Sequence, residues 1–455
     1  MASAAEQLAA NFNFSALAKA TELKQRILFT LGALVVARIG AYIPLPGIDT
    51  QNFATFFQQH SGGVLGMVDM FAGGAIQRMT VFALGIMPYI SASIIMQLMT
   101  SVSPQLEALK KEGESGRKKI NQYTRWGTII LAAVQALAIS KGLAAMTSSG
   151  GAVVANPDLF FYVATVVSLC AGTMFLMWLG EQITSRGIGN GISLIIFAGI
   201  VARLPSAIGQ MFEQLRTGAI SPIFVLVVLV MAIGVITFIV FFERAQRRLV
   251  IQYPKRQVGN KMYGGQNSHL PLKLNSSGVI PPIFASSLLL LPLTVAGFSG
   301  NAGAVGGGGW FQTVMQDVQL YLGHGKPAYI VAYIALIVFF SFFYTAIVFN
   351  PEETADNLKK YGGFVPGIRP GKNTADYLDF VLTRLTVLGA AYLCFVCVLP
   401  EILIANYAIP FYFGGTSLLI VVSVTMDTVA QIQSHLYAQH YEGLIKKAKL
   451  KGRRG

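Results

Sequence analysis

Only a few residues in the apolar stretches of this sequence have types and spacing that could support chemistry. Cys394 and Cys397 have the spacing of a redox or metal-binding pair, but no second pair and no histidine cluster accompanies them. We therefore interpret both, like Cys170, as small buried hydrophobic side chains. The sequence also lacks a phosphate-binding GxxxxGK[ST] motif and a recognisable nucleophile–base arrangement. These residues predict no cofactor and no metal site, and they do not indicate an enzyme.

Acidic residues are also missing from the positions where an ion-coupled carrier needs them. Such a carrier requires protonatable or ion-binding groups at membrane depth. Asp427 and Glu401 lie near the ends of apolar stretches, and Asp69 lies in a connecting segment. A secondary transporter for a small solute remains one alternative, and substrate uptake on an ion gradient alone would favour it. A membrane enzyme, such as an intramembrane protease, is the other, and it would need a catalytic dyad.

The elements that must position these residues follow from the composition. The chain has 455 residues, of which 54% are hydrophobic and 12% are charged, against about 25% charged in an ordinary soluble domain. A water-soluble chain with so few charges could not cover its surface. Several uncharged stretches exceed the roughly 18 residues that mark a membrane span. The sequence therefore predicts a polytopic membrane protein with helical spans, because open strand edges are not tolerated in lipid.

Hydropathy predicts ten spans, and the basic residues orient them. The spans are expected at 26–43, 81–99, 127–146, 159–179, 188–204, 220–242, 278–298, 327–349, 385–404 and 409–430. An even number of spans places both termini on one side of the membrane. Of the 34 Lys and Arg residues, 28 lie on that side and five on the other, with Arg38 inside the first span. Because basic loops are retained in the cytoplasm, both termini are predicted to be cytoplasmic.

A short repeat relates the two halves of the chain. The segment GIMPYISAS at 85–93 in the second span aligns with GVIPPIFAS at 278–286 in the seventh, and five of the nine positions are identical. Five spans separate the copies, and an odd number requires the halves to be inverted. Inverted halves are typical of membrane proteins with a central pathway, although a chance match of one segment is the alternative. The predicted fold class is all-α, with ten transmembrane helices in two inverted five-helix halves.

This organisation predicts four regions along the chain. They are a cytoplasmic N-terminus at 1–25, an N-terminal half at 26–215, a C-terminal half at 216–430 and a basic cytoplasmic tail at 431–455. The C-terminal half contains two cytoplasmic loops, 243–275 and 350–380, that are too long for simple connections. Their basic residues suit anionic lipid, acidic protein or RNA phosphates. Positive-inside charge facing lipid is the alternative explanation for part of them.

Two apolar features indicate a seal. Ile90 and Ile283 occupy matching places beside prolines in the repeat, and Ile86 lies one helical turn before Ile90. An aliphatic constriction cannot coordinate an ion, but it can exclude water and ions; the alternative is ordinary helix packing. Between the first two spans, residues 61–74 form a short apolar segment bracketed by glycine pairs, which permit hinge conformations. This segment is either a movable stopper or a re-entrant loop without a gating role.

Longer motifs closely resemble the bacterial members of the SecY/Sec61-alpha family, whose central subunits conduct polypeptides across membranes. The matching strings are GIMPYISASIIMQL, KKEGESGRKKINQYTRWGT, GTMFLMWLGEQITSRGIGNGIS, GVIPPIFASS, FYTAIVFNPEETADNLKK, FVPGIRPGKNTADYL and PFYFGGTSLLIVV. The resemblance extends from about residue 23 to the tail. It implies two halves around an hourglass pore and passage of unfolded, signal-bearing polypeptides across the plasma (cell inner) membrane, with lateral release of transmembrane segments into lipid.

The resemblance also assigns roles to residues. The implied pore ring consists of Ile86, Ile90, Ile192, Ile196, Ile283 and Ile420. The implied plug consists of Gly63, Val64, Leu65, Gly66, Met67, Val68, Asp69, Met70, Phe71, Ala72, Gly73 and Gly74. The implied docking residues for the SecA ATPase or the ribosome are Lys255, Arg256 and Arg369. The implied lateral-gate residues are Ser91, Asn190 and Ser286.

Partners follow from the same resemblance. SecE and SecG would complete a heterotrimer, and SecA, the ribosome, nascent signal-bearing polypeptides, the accessory SecDF and YidC, and anionic lipid are the other expected partners. No sequence-specific nucleic acid is implied. Energy is expected to come from the motor or from chain elongation, which agrees with the lack of a nucleotide-binding motif in the sequence.

Overall fold

The structure is a computed structural model, and its helices fall in two compact units. It describes residues 21–60, 66, 69, 72–148, 151–154, 156–218, 220–253, 256–258, 261–263, 267–299, 317, 320–321, 326–406 and 415–452. The first unit comprises Met1–Pro205, Gly297–Gln312 and Ser423–Gly455, and the second comprises Ser206–Ala296 and Thr313–Val422. Each unit is described in turn.

The first unit is helical, with one minimal hairpin. Its elements are α1 (Thr21–Gly40), α2 (Thr50–His60), α3 (Met87–Val102), α4 (Pro104–Lys111), α5 (Glu114–Ala145), β1 (Thr147–Ser148), β2 (Gly151–Ala152), α6 (Leu159–Arg186) and α7 (Gly191–Arg216), whose C-terminal part belongs to the second unit. β1 and β2 pair antiparallel. α5 packs against both α3 and α6, and α1 packs against α6. Small buried residues on α5, such as Ala132 and Ala136, permit this close helix packing.

The second unit combines long helices with two antiparallel pairs of strands. Its elements are α8 (Pro222–Arg244), β3 (Gln246–Gln252), β4 (Arg256–Val258), β5 (Lys261–Tyr263), β6 (Asn267–Lys273), α9 (Ile280–Ser299), α10 (Pro327–Val348), α11 (Pro351–Lys360) and α12 (Lys372–Asn406). The final helix, α13 (Gly415–Gly452), begins in this unit and continues into the first. β3 pairs antiparallel with β6, from Gln246 opposite Lys273 to Gln252 opposite Asn267. β4 pairs with β5.

Local sequence explains where several helices begin. Proline stands in the first turn of α3, α4, α8, α10 and α11, where its fixed φ suits the helix and its missing N–H donor is not needed. Ser221 caps α8 by accepting a hydrogen bond from the N–H of Phe224 at 3.3 Å. Asn350 caps α11 by accepting one from the N–H of Glu352 at 3.1 Å. Both caps satisfy backbone donors that a helix leaves unpaired.

The predicted all-α polytopic fold is confirmed. Seven of the described helices are long and apolar enough to cross a membrane, and they overlap the predicted spans 3, 4, 5, 6, 8, 9 and 10. The remaining three predicted spans correspond to α1 and to the shorter apolar helices α3 and α9. On α8, the most apolar span, large side chains such as Leu226 and Val230 are more than 60% exposed. An apolar exposed surface of this kind suits contact with lipid.

The predicted starts of the second and seventh spans were wrong by a few residues, in the same way at both places. Residues 81–86 form turns and α3 begins at Met87, while α9 begins at Ile280. The glycine two positions before each helix has a left-handed backbone, with φ +57° at Gly85 and +64° at Gly278. That conformation, which favours glycine, cannot continue a right-handed helix. The two copies of the repeat therefore share a left-handed glycine before the helix as well as a similar sequence.

Candidate functional site

The described residues between α2 and α3 are organised around one buried carboxylate. Asp69 is fully buried, and its Oδ1 atom accepts hydrogen bonds from the backbone N–H groups of Ile76 and Gln77, both at 2.9 Å. Its backbone carbonyl accepts a further bond from the N–H of Gly74 at 3.0 Å. These bonds fold residues 72–77 tightly against Asp69. We call residues 72–77 the glycine turn.

Two arginines from apolar helices reach this structure. Arg203 of α7 donates from Nη1 to Oδ2 of Asp69, and Arg38 of α1 donates from Nη1 to the carbonyl of Gly73 at 2.5 Å. Burial raises the pKa of Asp69 above its ordinary value, and Arg203 and the two backbone donors oppose that rise. The charged form of the buried carboxylate therefore depends on these partners.

The glycine turn also lies against the backbone of α7. Gly73 has a left-handed φ of +65°, and a Cβ atom at this position would lie 2.8 Å from the Cα of Gly199 and 3.0 Å from Nη1 of Arg38. Gly74 is left-handed as well, with φ +87°. Such close approach of two backbones requires residues without side chains. Gly73, one of the pair predicted as a hinge, thus packs against α7, and the hinge role stays a prediction.

The four isoleucines predicted for the first half differ in their surroundings. Ile86, Ile90 and Ile196 are buried, with 5 to 7% of each side chain exposed, and Ile192 is half-buried. Ile86 and Ile196 line one cavity together with Ala72 of the predicted plug. Ile90 and Ile192 are not among the residues that line this cavity. The structure therefore brings two of the predicted ring residues into contact with the same space, beside the glycine turn.

The two isoleucines predicted for the second half lie in the second unit. Ile283 is half-buried in the first turn of α9, and its carbonyl accepts a hydrogen bond from Oγ of Ser286 at 3.0 Å. Ile420, near the start of α13, is fully buried. The joint role of all six isoleucines in a single ring stays a prediction.

The two long loops that were predicted to be cytoplasmic are joined to each other within the second unit. Gln252 at the end of β3 and Phe364 exchange two backbone hydrogen bonds, of 2.9 and 3.0 Å. Beneath them, side chains from β3, β6 and α12 form an apolar cluster of Leu249, Leu272, Leu378, Val381, Leu382 and Leu385. We call β3, β6, residues 361–371 and the start of α12 the loop platform. Sequence analysis treated these loops separately.

Arg369 lies in a turn of the loop platform. Its side chain is exposed, and its carbonyl accepts a hydrogen bond from Oγ1 of Thr374 at 3.0 Å. Gly367 and Gly371 flank it with left-handed backbones, φ +82° and +108°. The turn thus holds the guanidinium group outward, where an acidic partner can reach it. Of the other predicted docking residues, Arg256 lies in β4, and Lys255 lies outside the described residues.

Comparison with known proteins identifies the family. The SecY family profile matches residues 80–429. The protein translocase subunit SecY of Rickettsia typhi is 56% identical over 430 residues, which cover 94% of this chain and 97% of that protein. The protein of the same name from Escherichia coli K12 is also 56% identical, over 431 residues that cover 95% of this chain and 96% of that protein. The chain belongs to the SecY family. The resemblance inferred from the sequence motifs is confirmed.

Solved structures of SecY and Sec61 channels share the fold. A protein-conducting channel matches with a TM-score of 0.58 at 19% identity, over 90% of this chain and 92% of that one. A SecY structure described in terms of its plug domain matches with a TM-score of 0.59 at 20% identity, over the same shares of the two chains. Sec61 from a canine ribosome–channel complex matches with a TM-score of 0.56 at 18% identity, over 90% and 92%. At these identities the match concerns the fold.

The predicted gate residues have structural partners of their own. Ser91 of α3 and Ser286 of α9 are buried. Asn190 is exposed and caps α7, since its Oδ1 accepts a hydrogen bond from the N–H of Ile192 at 3.1 Å. Beside it, the N–H of Gly189 donates to Oε1 of Gln431 in α13 at 2.8 Å. The start of α7 is therefore fixed locally, and a gate role for these residues stays a prediction.

Sequence reasoning did not identify Arg38 and Arg203 as candidate site residues, although both lie in predicted spans. An ionisable residue within an apolar helix is itself a sign of a site, and that signal was present in the sequence. The sequence did not indicate which residue pairs with Arg203, because Asp69 and Arg203 are 134 residues apart in the chain. Among the residues that the structure describes, no His, Cys, Asp or Glu cluster is placed to hold a metal.

Proposed function

We propose that this chain is the protein-conducting channel subunit of a plasma-membrane translocase, with both termini in the cytoplasm. It would pass unfolded, signal-bearing polypeptides across the membrane and release transmembrane segments sideways into lipid. The observation that carries the proposal is the 56% identity, over nearly the whole chain, to proteins named as protein translocase subunit SecY. The exposed apolar surfaces of the spans support the membrane location.

The channel is proposed to be sealed by aliphatic side chains rather than by groups that bind ions. Ile86 and Ile196 line an apolar cavity next to the glycine turn, and Ile90, Ile192, Ile283 and Ile420 are proposed to complete the constriction. Aliphatic walls exclude water and ions by dewetting, and they offer a passing polypeptide only weak contacts. A tight binding site would stall the moving chain. A channel of this kind needs no catalytic group of its own.

The driving force is proposed to act on the loop platform. SecA with ATP, or a translating ribosome, would dock there through Arg369 and the basic residues at 255–256, and SecE and SecG would complete the complex. The exposed Arg369, flanked by two left-handed glycines, supports this placement, because a fixed guanidinium group pairs well with carboxylates or phosphates. SecDF, YidC and anionic lipid are proposed as accessory partners.

Reconstitution tests the proposal. Proteoliposomes that contain this chain with SecE and SecG should import a signal-bearing preprotein only when SecA and ATP are both present. A crosslinkable group at Ile90 or Ile283 should capture a stalled translocating chain, whereas the exposed Leu226 on α8 provides a control position that should not. Uptake of a small solute on an ion gradient, without SecA-dependent import, would refute the channel and favour a transporter.

A further inference from the structure

The contact between Asp69 and α7 can be broken without breaking every hydrogen bond that Asp69 accepts. The carboxylate is fully buried, and a buried charge is tolerated only where partners replace the water it has lost. Here the partners come from two sources. Ile76 and Gln77 belong to the same local segment and would move with Asp69, whereas Arg203 belongs to a different, long helix.

Because of this division, the Asp69–Arg203 ion pair can form only while the glycine turn lies against α7. If the glycine turn left α7, Asp69 would keep its two backbone donors but lose the guanidinium group. The Gly73–Gly199 approach and the bond from Arg38 to the carbonyl of Gly73 would be lost in the same movement. Arg203 is 30% exposed, so water can solvate it once the pair has separated. Separation would cost the ion pair, the bond from Arg38 and the contact between Gly73 and Gly199 together.

We infer that the Asp69–Arg203 pair is a latch that holds the glycine turn in its seat and sets how strong a signal sequence must be to open the channel. The inference rests on the proposed function and deepens it, because it assigns the selectivity threshold to two named residues. Both belong to the first unit. The latch acts through position, and neither residue needs to touch the passenger.

The chemistry of the pair predicts an asymmetric effect of substitution. Arg203→Gln leaves a buried carboxylate without its charged partner, which is the costly way to break such a pair. Asp69→Asn keeps an acceptor for Ile76 and Gln77 and leaves only a partly solvated arginine. The double variant removes both charges. We expect the resting ion leak and the import of a preprotein with a weakened signal to rise about tenfold in Arg203→Gln, less in Asp69→Asn, and to fall back in the double variant.

The experiment measures ion leak and SecA-driven import in the same proteoliposomes, with intact-signal and weakened-signal preproteins. Glu213→Gln is the matched control, since it breaks the exposed Arg216–Glu213 pair of the same helix and should leave both readouts unchanged. If the wild type imports the intact-signal preprotein but the variants keep normal leak and selectivity, the latch is refuted while the proposed function stands. The latch would also be refuted if Glu213→Gln raised the ion leak and the weak-signal import as much as Arg203→Gln does. It would be refuted as well if the double variant showed higher leak and weak-signal import than either single variant. If Arg203→Gln fails to accumulate in the membrane, Asp69→Asn, which is isosteric, decides alone.

Discussion

The backbones of Gln252 and Phe364 pair with each other, the N–H of each donating to the carbonyl of the other at 2.9 and 3.0 Å. Next to this pair, a Cβ atom on Gly363 would lie 3.0 Å from the ring of Tyr253 and 3.1 Å from the side chain of Ile251. The two long loops of the second unit therefore form one platform rather than two independent projections. We expect a partner that binds one loop to affect the other as well.

The apolar cluster under the loop platform should determine its rigidity. Leu378 is fully buried in that cluster, so Leu378→Ala removes core contacts and is expected to lower the free energy of unfolding by about 2–5 kcal/mol. Val387→Ala on the exposed side of the same helix is the control, with an expected change of about 0.5 kcal/mol or less. Thermal unfolding of the purified complex and SecA binding measure the two effects. Unchanged SecA affinity in a destabilised variant would show that platform rigidity does not matter for docking.

Reversing the charge at Arg369 should abolish SecA-driven transport. Arg369→Glu replaces the exposed guanidinium group of the platform with a carboxylate, which repels an acidic partner, while the buried contacts of the turn are unaffected. Assembly with SecE and SecG should remain intact, as judged by co-purification. Lys110→Glu, which reverses the charge of an exposed lysine in α4, should transport nearly normally. Normal transport by Arg369→Glu would contradict the docking role.

Polar residues in the proposed constriction should weaken the seal. Ile90→Asn or Ile283→Asn introduces an amide that attracts water where an aliphatic wall excludes it, so resting ion leak or import of weak-signal preproteins should rise. Electrical recordings from single channels in planar bilayers measure the leak directly. Ile90→Val keeps the aliphatic character and should behave like the wild type. If both Asn variants showed the leak and the signal selectivity of the wild type, Ile90 and Ile283 would have only a packing role.

A methyl group on the glycine turn should unseat it. Gly73→Ala places a Cβ atom 2.8 Å from the Cα of Gly199 and adds the strain of a left-handed alanine, a penalty of about 1–2 kcal/mol. We expect a higher resting leak with normal protein levels. Gly209→Ala in α7 is the control, because nothing lies within 4 Å of its Cβ position. Equal leak in both variants would mean that the Gly73–Gly199 contact does not hold the turn.

Much of the architecture could be predicted from the sequence, because lipid imposes its rules on every residue locally. Apolar stretches revealed the spans, and all ten have counterparts among the described helices. The repeat that begins at Gly85 and Gly278 could be recognised in the sequence, and both glycines have a left-handed backbone in the structure. Recognisable motifs also indicated the family correctly, and the aliphatic character of Ile86, Ile90 and Ile283 suggested a seal without chemistry, which stays a prediction.

The tertiary structure alone decided which distant residues meet. Hydropathy treats Arg203 as a defect in a span, and nothing in the sequence pairs it with Asp69 across 134 residues. Likewise, no local signal joins Gln252 to Phe364 or places Gly73 against Gly199. These contacts depend on how whole helices and loops pack, and packing is a property of three-dimensional shape rather than of local composition. The sequence thus determined the membrane-spanning scaffold, and only the packed structure revealed how the glycine turn is held and how the two long loops of the second unit are joined.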